Sequence, residues 1–252
     1  MPPSFVDTFV CLPPGLPSGE LVGKLLGIIF REYRWFEPRR YGSSSLSKAI
    51  DPMCRDFAPL VAYYEERKNL CVAARTDKDF IWFLPARPDE PPHIGRISWT
   101  TSASSASKAS WRATHAQQVV ELMRLVQSPL AIIGMEEEFE RKTRRWVREG
   151  AGETRVITVR DYSQGLAGLF WRNFYGAPFV RMFGERLDAL PTGCRMAFGE
   201  DLVLVQPYEL PTEAGTEAGV ARERELISLL GPECFYNHEH HLLPTRRPEL
   251  VP

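Results

Sequence analysis

The chain has 252 residues, with 31 Lys+Arg against 32 Asp+Glu, 44% hydrophobic and 25% charged. These are the proportions of a folded globular protein with a sizeable core, not of a disordered or fibrous chain. The net charge of -1 argues against nucleic-acid binding as the main task, since phosphate contacts need a basic excess, and no run of about 18 apolar residues is present to span a membrane.

The start of the chain has no basic region and carries Pro2, Pro3 and Asp7, unlike a secretory signal. Cys11, Cys54, Cys71, Cys194 and Cys234 are odd in number, widely spaced and never arranged as CxxC. They read as free thiols in a reducing compartment. A cytoplasmic protein is expected.

Residues 5–12 read as a strand, cut by Pro13, Pro14 and Gly15. Ser18 is then a suitable N-cap for a helix over 19–36, with Leu21, Val22, Leu25, Leu26, Ile29 and Tyr33 on one face. Residues 39–58 look like loop. Residues 70–74 and 80–84 flank a polar turn and predict a hairpin. A further strand is expected at 94–100, and the Ser/Ala run at 101–110 reads as a mobile loop. A helix follows over 111–127, with Ala116, Val119, Val120, Met123 and Val126 as its stripe, stopped by Pro129. Residues 130–134 suit a buried strand.

Residues 136–148 predict a solvated helix with sorted charge. Glu136, Glu137 and Glu138 open it, and Arg144, Arg145 and Arg148 close it, which matches the helix dipole. The pairs Glu137 with Arg141, Glu138 with Lys142 and Glu140 with Arg144 support it. Beyond Gly150 and Gly152 come a strand at 155–159, a long helix over 165–187 bent at Pro178, and a hairpin of 194–198 with 202–206. A last helix spans 220–230, and the tail 238–252 is expected to be flexible.

Strands that come in hairpins, rather than alternating singly with helices, indicate an α+β fold: antiparallel hairpins packed with helices. We take 1–252 as a single α+β domain. Each half runs helix, hairpin, helix, which suggests two pseudo-repeated α+β halves, 1–134 and 135–237.

The motifs GxGxxG, GxxxxGK[ST], GxSxG and HExxH are absent from the sequence. Ser43, Ser44 and Ser45 follow Gly42 in a polar loop, outside the strand–turn–helix setting of a nucleophile. Cys234, His238, His240 and His241 have zinc-ligand chemistry but lack a second ligand pair nearby. Aromatic and basic residues interleave over 30–41, a mix that suits core packing first, then a protein contact, then nucleic acid.

The densest signal is Trp171, Asn173, Gly176, Pro178, Phe179, Val180, Phe183 and Gly184, followed by Leu187 and Pro191. Leu230, Gly231 and Phe235 close the last helix. This stretch resembles the immunity proteins of bacterial polymorphic-toxin and type VI secretion systems, in the group paired with restriction-endonuclease-like toxins. The resemblance covers residues 155–236, and the first half only in general organisation. It implies a binding protein without an active site or cofactor, whose partner is a cognate toxin with DNase chemistry. No direct nucleic-acid contact is expected, and a homodimer is left open. An acidic surface mimicking phosphate would suit such a partner. Glu136, Glu137, Glu138, Asp77, Asp79, Asp89 and Glu90 are the candidates for that surface. The rival readings are an enzyme with a dispersed site around His115 or His93, and a nucleic-acid binder using 31–41 and 141–148.

Overall fold

The computed structural model describes residues 4–15, 17–51, 56–76, 78–150 and 152–250. The strands are β1 Phe5–Cys11, β2 Arg40–Gly42, β3 Lys48–Ala49, β4 Leu70–Ala73, β5 Phe80–Leu84, β6 Arg96–Ser102, β7 Leu130–Met135, β8 Arg144–Glu149, β9 Gly152–Ile157, β10 Arg172–Tyr175, β11 Arg195–Ala197 and β12 Val203–Val205. The helices are α1 Gly19–Gly27, α2 Ala58–Arg67, α3 Ala103–Ala106, α4 Ala109–Leu125, α5 Glu136–Thr143, α6 Ala177–Phe183 and α7 Glu217–Leu230. The class is α+β. A 10-stranded sheet runs in the order β11-β12-β10-β7-β1-β6-β5-β4-β2-β3, and β8 and β9 form a separate hairpin. All of these pairings are antiparallel. The sheet takes strands from both halves of the chain, with β7 between β1 and β10.

On one face of the sheet, Val22, Leu25 and Leu26 of α1, Leu60 and Tyr64 of α2, and Val119, Val120 and Met123 of α4 pack on Val6, Val10, Val72, Ile81, Phe83, Ile97 and Ile133. The opposite face is divided. Phe179 and Phe183 of α6 and Leu226 and Leu230 of α7 cover Leu130, Tyr175, Val203 and Val205. Phe139 of α5 meets Phe9 of β1 edge-on, with centroids 4.7 Å apart. Beyond it, Phe80, Trp82, Leu84 and Thr100 are half-buried and Arg96 is exposed.

The hairpins β4–β5 and β11–β12, strand β7 and helices α4 and α7 form where the pattern predicts them. Ser18 caps α1, accepting from the N–H of Leu21, and Thr216 caps α7. The helix expected to reach residue 36 ends sooner, widening into a π-turn over Ile28–Glu32. The Ser/Ala run is ordered: Ser102 caps the short α3, which leads directly into α4. Residues 39–58 hold β2 and β3, and α2, unmarked in the pattern, follows.

Two predicted helices are corrected. The helix over 165–187 is replaced by irregular chain, then β10, then α6 and a 3-10 turn over Gly184–Leu187. All four residues of β10 are buried because the strand is covered on both faces. An apolar run buried on both sides carries no period to separate strand from helix. Asn173 is fully buried: its Oδ1 accepts from the N–H of Phe170 at 2.9 Å, and its Nδ2 donates to the carbonyls of Phe170 and Val205. Gly176 sits where a Cβ would lie 3.0 Å from the carbonyl oxygen of Ser128. The second correction is the helix over 136–148. It stops at Thr143, and Arg144 turns extended at φ -135°, ψ 150° to begin β8.

Part of the tail expected to be flexible packs on the domain. Thr245 and Arg246 donate backbone N–H groups to the carbonyl of Glu233, Asn237 pairs with Leu242, and Pro244 and Pro248 are buried. Among the described residues, no helix is long and apolar enough to cross a membrane.

Replacing Asn173 with Ala removes its bonds to the buried N–H of Phe170 and to the carbonyls of Phe170 and Val205. The expected loss is about 2–4 kcal/mol in urea denaturation. An unchanged midpoint would show that these bonds contribute nothing net.

Candidate functional site

The charge-sorted segment after β7 is the centre of an ionic cluster. One turn apart on α5, Glu138 and Lys142 both face inward, at 2% and 5% exposure. Lys142 Nζ lies 2.6 Å from Glu138 Oε1 and 2.9 Å from Glu223 Oε2 of α7, and it also donates to the carbonyl of Leu169. The hydroxyl of Tyr208 donates toward Glu138 at 2.9 Å and Glu223 at 3.0 Å. Arg141 lies 3.7 Å from Glu223, balancing the charge. Burial pushes the Glu138 carboxyl up, while the Lys142 ammonium opposes that shift. Gly134 in β7 makes room for the cluster, since a Cβ there would lie 2.5 Å from Glu138 Oε2.

This placement corrects the expectation of a solvated helix, and it removes Glu138 from any partner-facing surface. Glu136, Glu137, Asp79, Asp89 and Glu90 are exposed. Asp77 lies outside the described residues. The strand registers bring Glu136, Glu137 and Asp79 to the end of the sheet where β1 begins, because Val6 pairs with Met135 and Ile81 with Trp99. Asp89 and Glu90 sit in the β5–β6 connection at the opposite end, where Leu84 pairs with Arg96. The acids therefore do not gather into one patch.

The β8–β9 hairpin projects from the end of α5. Its root is held where Thr158 donates N–H to the carbonyl of Thr143, and hydroxyl to that of Lys142 at 2.8 Å. Alternation sorts its side chains. Arg145, Val147 and Val156 are half-buried, whereas Arg144, Trp146, Arg148, Glu153, Arg155 and Ile157 are exposed on the other face. Trp146 is 64% and Ile157 61% exposed. The Arg155 guanidinium lies 5.7 Å from the Trp146 ring centroid. Glu140 ties the arm to α5 through Arg144 at 2.8 Å and through Arg155.

A groove of about 420 Å³ runs from this arm onto the sheet, lined by Asp7, Phe9, Ile132, Phe139, Arg144 and Ile157 among others. Arg144 and Ile157 therefore belong to both arm and groove. Burial, then Glu136, pushes the Asp7 carboxyl up to about 6. Trp146 falls in the expected helix 136–148 and Ile157 in the expected strand 155–159, so the ribbon that joins them does not show in the pattern. The usable signal was Gly150 and Gly152 flanked by the alternation Arg144, Trp146, Arg148.

The histidines and cysteines are dispersed. His115 Nε2 lies 3.3 Å from the Thr8 hydroxyl, and His93 Nδ1 lies 3.1 Å from that of Tyr162. Cys234 is fully buried, His238 Nε2 donates to the carbonyl of Ala167, and His240 and His241 are exposed. Among the described residues, no group of three or more His, Cys, Asp or Glu side chains is placed to hold a metal ion. Cys54 lies outside the described residues, and the four described cysteines are free.

No family model matches the sequence, and no curated protein matches it. A likeness does emerge among solved structures. A Pseudomonas aeruginosa T6SS protein superposes with a TM-score of 0.54, covering 96% of this chain and 78% of that one at 10% sequence identity. The shared property is the fold.

Lys142→Met should destabilise the chain by about 3–5 kcal/mol, because two buried carboxylates lose their cation. The upward push of burial on the Glu138 carboxyl would then be unopposed by Lys142, so the loss should be greater at pH 8 than at pH 5 in urea titrations. For Asp7 the shift is from 3.8 to about 6. Its ionised form therefore costs stability above about pH 6, and that cost is absent below about pH 4. Asp7→Asn should melt higher than the parent at neutral pH, with the gap closing across that window.

Proposed function

We propose that this chain is an immunity protein of a type VI secretion system. It binds a cognate toxin in the cytoplasm and blocks it, with no chemical step of its own. Two likenesses support this reading: the fold shared with the Pseudomonas aeruginosa T6SS protein, and the stretch at 170–191 that resembles toxin-immunity proteins.

The observation that carries it is the outer face of the β8–β9 arm. Trp146 and Ile157 are exposed there among Arg144, Arg148 and Arg155. Tryptophan and arginine are the residues that dominate binding energy at protein interfaces. Glu140 holds Arg144 and Arg155 in place, and the groove beside Ile157 extends the surface onto the sheet. We assign to the partner a DNA-cleaving activity and an acidic cleft, such as the carboxylates that bind catalytic metal ions. Arginines suit carboxylates by fork geometry and permanent charge. Occluding that cleft would keep nucleic acid out without any reaction by this chain.

The decisive experiment uses the gene beside this one, which the proposal expects to encode a toxin domain. Its expression alone should kill cells, and co-expression of this chain should rescue them. Trp146→Ala and Arg148→Glu should each weaken the purified complex about 30-fold or more, equivalent to 2 kcal/mol or more, with circular dichroism unchanged. Rescue and affinity untouched by both substitutions would overturn the arm as the docking surface. Failure to rescue any neighbouring toxin would overturn the class. The same arginines around an exposed tryptophan also suit stacking on single-stranded nucleic acid. Salt-dependent gel shifts abolished by Trp146→Ala would favour that second reading.

A further inference from the structure

The aromatic stretch after α1 has a place in the fold that toxin docking leaves unused. Tyr33, Trp35 and Phe36 follow the π-turn and form one wall of a cavity of about 510 Å³. Trp111, His115 and Gln118 of α4 form the facing wall, and Trp99 of β6 lies between them. The rings touch in series. Tyr33 to Trp35 is 5.8 Å, Trp35 to Trp99 4.6 Å, Trp99 to His115 5.9 Å and His115 to Trp111 4.2 Å between centroids.

Most of the polar lining is neutral: Ser102, Ser105, Thr114 and Gln118. Its charges are Lys78 and Asp79, which are of opposite sign and both exposed. His115 is 2% exposed. Its Nε2 faces the Thr8 hydroxyl, while its Nδ1 has no hydrogen-bond partner among the described residues. Burial holds the imidazole well below the usual histidine range, so it is neutral and Nδ1 is either donor or acceptor. A buried polar atom without a partner costs free energy unless something satisfies it.

We propose that this cavity binds a neutral aromatic ring carrying one hydrogen-bonding group, with phenol or indole chemistry. The ring packs on the Trp35–Trp99 wall and the polar edge meets His115 Nδ1. The volume falls in the range of small-ligand sites, and an aromatic lining with few placed polar groups is their usual composition. Such a ring comes either as a free small molecule or as a Tyr or Trp side chain of a partner. The site is separate from the arm and its groove. Trp99 and His115 lie on the α4 face of the sheet, while Phe9 and Ile132 alternate to the other. Its test is therefore independent of toxin binding.

Phenol and indole titrated into the labelled protein should give saturable NMR shifts at the indole N–H signals of Trp35, Trp99 and Trp111. Those of Trp82 and Trp146 should stay still. Benzoate and benzylamine, which are charged, should bind at least about tenfold weaker. His115→Phe keeps the ring and its stack on Trp111 but removes the nitrogen, and should weaken binding about 3- to 10-fold. Thr114→Arg, at an exposed position on the cavity wall, should block entry while leaving the thermal melt unchanged. N-acetyltyrosinamide and N-acetyltryptophanamide separate the two sources. Affinity equal to that of the free rings assigns the cavity to a partner's side chain, and affinity at least about tenfold lower assigns it to a small molecule. No saturable shift with either free ring, or affinities unchanged in both variants, would overturn the proposal.

Discussion

The placement of one ammonium group governs much of the second half of this fold. Lys142 is reached by Glu138 from its own helix, by Glu223 from α7 and by the carbonyl of Leu169, and Tyr208 bridges the two carboxylates. These groups come from four separate parts of the chain. A buried ion cluster is weak evidence of net stability, since well-packed apolar residues often do as well. What it does supply is discrimination, because displacing Lys142 takes the nearest cation from two buried carboxylates. The root of the arm follows from this, since Thr158 is bonded to the carbonyls of Lys142 and Thr143.

The sheet then decides which surfaces are left over. Helices α1, α2 and α4 bury one face, while α5, α6 and α7 cover part of the other. Phe9 and Ile132 are half-buried where that second cover ends, and the groove and arm occupy the boundary. The aromatic cavity lies at one end of the first layer, where the π-turn carries Tyr33 and Trp35 toward α4. Both surfaces are products of incomplete coverage, and neither needed a motif in the sequence.

That explains what could be read beforehand. The capping residue Ser18, the stripe of α4 and the polar turns of the β4–β5 and β11–β12 hairpins are local signals, and local physics decides them. The strand β10 is different. With all four residues buried it loses its alternation, and Asn173 looks like a helix interruption until Phe170 and Val205 are seen to be its partners. The Glu138–Lys142 spacing was visible, and the pair forms. Its burial was not, because Tyr208 and Glu223 lie more than 60 residues away in sequence. The same charge sorting hid the arm, since arginines that suit a helix C-terminus equally suit the outer face of a ribbon.

The arm is a two-stranded ribbon outside the main sheet. A ribbon of this kind offers main-chain groups along its outer edges, an invitation to any extended chain, including another copy of itself. Consider two β8 strands laid antiparallel with Trp146 opposite Trp146. Arg144 of each then falls opposite Arg148 of the other, and like charges directly opposed across strands are destabilising. The arginines therefore oppose pairing of this ribbon with a second copy of itself through β8.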